Sequence, residues 1–420
     1  MNKKDLLELK RRLKGDKHNI DRLAGCYVDG NGNKVVKLNE TFLNLETEET
    51  EKFLEIARKA LGGTIGNNIL ELEFPKEEEE AGGKQQFLNG LRSSALNNEE
   101  LLDTFYDLVI KGYHFDGNYL ILLFHDTYDI MTRTSDNLKL DESEEVYEYI
   151  LCAICPVVLS KPGLGYIQTE NRIGARIRDW VVGAPDLGFL FPAFDDRGAD
   201  IHRVDYFIKD AGDSNPDFIE DVLGCGAKRT KKEKHRAFCS IIKNAYRHDE
   251  DRGETVLMEI EDSLNIMAEE NAAAEEGDSF IGVDDRVLTE VLNENEVEEE
   301  SAKQIIENVR REFSDEEVCA QDLVDTKALS AYTAQKRERE LVKEVESLRT
   351  QLSDIKAFPE DTEPLDGDGQ EDRNALVELK VSRDLEEEVA VRLIDEQKYV
   401  VIPLKEGSDI RVNGKNVAYE

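Results

Sequence analysis

Three apolar runs stand out between residues 118 and 197. They are Tyr119-Leu-Ile-Leu-Leu-Phe124, Tyr149-Ile-Leu-Cys-Ala-Ile-Cys-Pro-Val-Val-Leu159 and Trp180-Val-Val-Gly-Ala-Pro-Asp-Leu-Gly-Phe-Leu-Phe191. The first two do not alternate with polar residues. Both faces of each must then be covered, which predicts central strands of a sheet with layers on either side. Gly183, Pro185 and Gly188 interrupt the third run, which predicts a strand, a bulge or loop, and a second short strand. Period-two runs predict a hairpin over 22–38, turning at Asp29-Gly-Asn-Gly-Asn33, and further strands over 68–74 and 201–208. Helical spacing predicts a terminal helix carrying Leu6, Leu9 and Leu13, then helices over 47–61, 85–96 and 98–113. Thr47 is the expected cap of the second, and Gly62-Gly63 its stop.

Beyond Pro216 the pattern turns helical, with helices expected over 228–246, 253–273, 284–292 and 299–313, a short one around 321–325, and an acidic linker over 271–277. Leu341, Val345, Leu348, Leu352 and Ile355 then recur at four, three, four, three on a highly charged helix, which is a heptad seam. An acidic linker over 358–374 follows. Residues 375–381, 389–394, 399–404 and 409–412 read as strands, with turns at Asp395-Glu396 and Asn413-Gly414. The fold class is α+β. A core domain of mixed sheet covered by helices occupies 1–210, a helical domain 211–330, the heptad helix and acidic linker 331–374, and a small β unit 375–420.

Charge narrows the function. The 420 residues include 92 acidic and 54 basic side chains, a formal net charge of −38, which repels nucleic acid overall. No apolar run reaches the roughly 18 residues of a transmembrane helix, so no membrane role is expected. The first 13 residues form a charged amphipathic stretch without an apolar signal segment. Six scattered cysteines do not make a disulfide framework, and a reducing cytoplasm is the expected location.

Candidate chemistry is thin. His125 and Asp126 follow the first apolar run, where α/β sheets often place a site. As strand neighbours they point to opposite faces and form no dyad unless the strand ends there. Cys152-Ala-Ile-Cys155 is surrounded by apolar residues and reads as a pair of buried, inert thiols, while Cys225 and Cys239 have no neighbouring ligand. No metal and no cofactor is expected. Asp29, Asn31 and Asn33 echo a calcium loop but lack its sixth and twelfth residues, and Gly62-Gly-Thr-Ile-Gly66 stands before a strand rather than after one, the reverse of a phosphate loop. Arg172, Arg176, Arg178 and Arg197 form a positive stretch beside Asp195 and Asp196. Arginine suits bidentate binding of phosphate or carboxylate, so an anion or nucleotide site is one reading there, with Asp126, Asp195, Asp196 or His125 as base. The basic run Lys228 to Arg236 reads as a solvated helix start or, with Lys3, Lys4, Arg11 and Arg12, as contact with an anionic partner.

Several segments together resemble an uncharacterised family of conserved hypothetical proteins from Gram-positive bacteria, known only as a domain of unknown function. They include Gly25-Cys-Tyr-Val-Asp-Gly-Asn31, Gly83-Lys-Gln-Gln-Phe-Leu88, Asn118-Tyr-Leu-Ile-Leu-Leu-Phe-His-Asp-Thr-Tyr-Asp129, Leu159-Ser-Lys-Pro-Gly-Leu-Gly-Tyr166 and Leu323-Val-Asp-Thr-Lys327. The resemblance is dense over the first 200 residues, and residues 333–374 stand outside it. It implies no activity. The order of a helical middle and a terminal β unit is also similar to bacterial nucleoid-associated proteins. The leading expectation is a non-catalytic cytoplasmic protein that binds a protein partner through its acidic helical region, with the heptad helix over 331–358 as the contact. Nucleic-acid binding and the anion site are the alternatives.

Overall fold

The two uninterrupted apolar runs lie in the middle of one sheet, each inside a much longer strand. The computed structural model describes residues 1–133, 139–274, 281–314 and 316–356, with four short strands between 390 and 417. Compact packing divides the chain into two units, Met1–Glu344 and Val345–Glu420. In the first unit, the strands are β1 (Arg22–Val28), β2 (Lys34–Thr41), β3 (Ile69–Glu73), β4 (Asn118–Arg133) and β5 (Lys139–Leu159). There follow β6 (Leu164–Ile167), β7 (Arg172–Ala175), β8 (Trp180–Val182), β9 (Leu187–Phe191), β10 (Ala193–Asp195), β11 (Gly198–Asp200) and β12 (Arg203–Ile208). The main sheet runs β2–β1–β4–β5–β9–β12–β3 with β8 added at the end of β5, and every pairing is antiparallel.

Strand alternation explains why those runs had to be apolar throughout. Tyr119, Ile121 and Leu123 point into one core, shared with α3 (Lys84–Ser93) and α4 (Glu99–Gly112). Leu120, Leu122 and Phe124 point into the other, shared with α1 (Lys3–Arg12) and α2 (Thr47–Ala60). Each large apolar side chain buried this way contributes about 1.5–3 kcal/mol. The third run divides as its glycines and proline predict. Its second half, β9, is buried at every position, whereas β8 is exposed at every position.

Local chemistry sets the helix starts. Asn2 and Asp5 make a reciprocal capping box on α1, and the Asn98 side chain accepts from the first free N–H groups of α4. The expected Thr47 cap is not found. Glu46 holds the cap position of α2, makes no side-chain cap bond, and leaves Thr47 as the first helical residue.

The third core is helical. It is built from α5 (Lys231–Ala245), α6 (Glu250–Ala274), α7 (Asp285–Glu294) and α8 (Glu299–Glu312), with Val318, Ala320 and Leu323 closing it. The short helix expected around 321–325 is a single tight turn, Ala320–Asp322. Asp325 then caps α9 (Thr326–Lys356), accepting from the N–H groups of Lys327 and Ala328. Residue 330, an expected domain boundary, lies inside this helix. In the second unit, β13 (Ala390–Ile394) pairs with β14 (Gln397–Val401), and β15 (Ile410–Val412) with β16 (Lys415–Val417). The linker over 358–374, the strand over 375–381 and the turns at 395–396 and 413–414 lie outside the described residues, as do residues 275–277 of the acidic linker.

Candidate functional site

The residues singled out by pattern fall in separate places. His125 Nδ1 lies 2.6 Å from Asp21 Oδ1 and its Nε2 lies 3.0 Å from Glu148 Oε1. β4 continues well past it, so Asp126 faces the other side of the sheet. There Asp126 accepts from the Tyr149 hydroxyl at 2.5 Å and the Asn19 N–H at 3.0 Å, with Arg12 at 3.6 Å. Burial pushes the Asp126 carboxyl above its ordinary value, and these donors oppose the rise. Asp195 lies 3.6 Å from the Met1 amine and 3.5 Å from Arg203, the Asp196 N–H donates to Asp5, and Arg197 donates to Glu8. On the small β6–β7 hairpin, Arg172 pairs with Glu170, and Arg178 Nε donates to the Ser160 carbonyl at 2.7 Å. Glu8 and Arg12 line one cleft with Lys4 and Arg11, but His125, Asp126, Arg172, Arg176, Arg178, Asp195, Asp196 and Arg197 line neither it nor four other clefts among the described residues.

The two cysteines of Cys152-Ala-Ile-Cys155 are buried on opposite faces of β5, and burial raises both thiols. The Asp29 motif is a plain turn in which the carboxylate accepts from the Asn31 and Asn33 N–H groups. The basic run is not simply solvated. Lys228 donates to the Glu71 carbonyl, Arg229 bridges Glu312 and Glu316, and Lys231 and Lys234 both reach Asp322. It braces the helical part against the sheet, because its cations meet carboxylates of the chain's own acidic surface.

A different group converges on the face of α5 turned to α6. His235 and Cys239 stand four residues apart on α5, and Glu261 comes from α6. His235 Nε2 lies 2.9 Å from Glu261 Oε1 and 3.4 Å from Cys239 Sγ, and the three donor atoms all lie within 4.8 Å of one another. Glu261 is fully buried, and its second oxygen accepts from the Asp325 N–H at 3.1 Å. Hydrogen bonds to Cys239 and Glu261 push the His235 imidazole up to about 10, against the burial that pulls it down. Cys239 therefore does have neighbouring ligands, contrary to expectation. A cleft of about 410 Å³ opens beside the group, lined by His235 with Asn67, Lys231, Asp322 and Asp325 among others.

One signal for this group was present in the sequence. His235 and Cys239 share one face of a predicted helix at spacing four. Glu261 lies in a different helix, and no local pattern ties it to them.

Among protein-family models, one described as Domain of unknown function (DUF4317) matches residues 1–415. The chain belongs to this family. No curated protein and no solved structure matches it. The span that places the chain in the domain-of-unknown-function family takes in the sheet, the cleft and all three converging side chains.

Proposed function

We propose that the protein is a binding protein that docks a macromolecular partner on apolar surface its own fold leaves uncovered. The observation that carries this reading is the arm formed by β6 and β7. Cross-strand register puts Leu164, Tyr166, Ile173 and Ala175 on one face of that arm. Leu164 is 78% exposed, and Ile177 and Trp180 beyond it are 81% and 57% exposed. Scattered exposed apolar residues are ordinary, but a contiguous patch of large ones marks an interaction surface. Lys161, Arg172, Arg176 and Arg178 lie in the same stretch of a chain of net charge −38, so an acidic protein surface complements it.

A second uncovered strip supports the same reading. On α9, Leu341, Val345 and Leu348 are about half exposed at heptad spacing, which suits an amphipathic partner helix. The pairing of the basic run with the chain's own carboxylates disfavours nucleic acid as the partner. The test is cross-linking mass spectrometry on full-length protein purified from its native source after nuclease treatment. A second copy or a stoichiometric acidic protein, cross-linked through Lys161 and lost in Tyr166→Ser, Ile173→Ser, carries the proposal. A chain that stays monomeric and partner-free overturns it. So does binding that survives both this pair and Leu341→Lys, Leu348→Lys.

A further inference from the structure

We infer that His235, Cys239 and Glu261 bind one divalent transition-metal ion of borderline softness, zinc by donor chemistry, with its fourth coordination position facing the adjacent cleft. Two simpler readings of the cluster fit less well. The first is a nucleophilic cysteine relay. That arrangement needs the thiol on one ring nitrogen and the carboxylate on the other. Here the sulfur lies 3.4 Å from Nε2 and 3.8 Å from Nδ1, and the carboxylate lies 2.9 Å from Nε2, so thiol and carboxylate share their nearest ring nitrogen instead of taking opposite ones. The second is a buried ion pair of His235 with Glu261. It accounts for the 2.9 Å contact but assigns no role to the sulfur placed against the same nitrogen.

The spacing itself favours an ion. Metal–nitrogen and metal–oxygen bonds of about 2.0–2.1 Å and a metal–sulfur bond of about 2.3 Å, at tetrahedral angles, put the donor atoms about 3.3–3.6 Å apart. The observed 3.4 Å from sulfur to nitrogen falls in that range, and the 2.9 Å from nitrogen to oxygen needs only a small expansion. Imidazole, thiolate and one carboxylate together disfavour magnesium and calcium, which take all-oxygen shells. The supporting shell is also in place. The Asp325 N–H holds Glu261 Oε2, which leaves Oε1 free to turn toward the ion. Three protein donors leave one position for water, and His235 lines the cleft that would admit it.

The experiment uses the full chain, reduced and stripped with chelator, then titrated with cobalt(II) and back-titrated with zinc(II). One cobalt per chain is expected, with a thiolate-to-cobalt charge-transfer band and tetrahedral ligand-field bands that zinc abolishes. Cys239→Ser should lose the charge-transfer band, and Cys319→Ser, at the other partly exposed cysteine, should keep it. A variant-free measurement guards against misfolding. Zinc should slow alkylation of Cys239 at least tenfold and leave Cys319 unchanged, read by peptide mapping. Absence of the band in folded protein, its persistence in Cys239→Ser, or equal alkylation of Cys239 with and without zinc overturns the inference.

Discussion

Tyr149 and Asp126 sit directly opposite each other on β5 and β4, and the tyrosine hydroxyl donates to the carboxylate at 2.5 Å. Both side chains are buried between the sheet and α1. A carboxylate taken out of water is tolerable only while its donors hold it, and Tyr149 is the shortest of them.

Tyr149→Phe removes that donor and keeps the ring. It should destabilise the protein by about 1–3 kcal/mol, the cost of leaving a buried acceptor short of a partner. Urea unfolding measures it, and a change within about 0.5 kcal/mol, the level of an ordinary surface substitution, would count against a structural role for the pair.

Asp205 should make stability depend on pH. It is buried, accepts from the Phe194 N–H at 3.0 Å, and has the Met1 amine 3.9 Å away. Burial pushes its carboxyl up to about 7, and the amine and the Phe194 N–H draw it back only in part. The folded state thus holds this proton more tightly than the unfolded chain does. Its contribution is full below about pH 4 and is lost as pH rises through about 7. The stability of the native protein relative to Asp205→Asn should fall across that window and level off above it. Urea unfolding at a series of pH values reads this, and a difference that does not change with pH refutes it.

Gly188 should not tolerate a side chain. A Cβ there would lie 2.2 Å from the Cys152 carbonyl oxygen, at the pairing of β9 with β5. Backbone cannot yield as a flexible side chain does. Gly188→Ala should cost about 1–3 kcal/mol or more, seen as a lower melting temperature. An unchanged melting temperature would mean that the two strands separate easily.

Residues 1–356 should fold without the rest. Each of the three cores draws only on residues up to Val324. A chain ending after Lys356 should keep the near-ultraviolet circular dichroism of its aromatic core and unfold cooperatively. Loss of either would show that the terminal β unit is needed for folding.

The sheet was readable in sequence because burial on both faces leaves no room for polar residues at 119–124 and 149–155. Strand length was not. β4 and β5 continue into the polar stretches 125–133 and 139–148, where pairing with each other decides the structure and hydrophobicity is silent. Apolar content alone did not separate the exposed β8, with Trp180, from the buried β9. The arginines of the 172–178 segment were visible as a cluster, yet their positions relative to His125 and Asp195 depend on how far the β6–β7 arm extends from the sheet. For the His235 group, the pairing of His235 with Cys239 lay in a four-residue spacing, and Glu261 joins them only through the packing of α5 on α6. Only that packing required a structure.

In mechanical terms β5 is a rail. It runs unbroken from Lys139 to Leu159, bonded to β4 on one side and to β9 and then β8 on the other. The arm leaves from the end of this rail and returns through β8, so its two roots are hydrogen-bonded to each other. A pull along the strand direction loads those ladder bonds together, in shear, instead of parting them one after another. The arm can be gripped hard without opening the core beneath it.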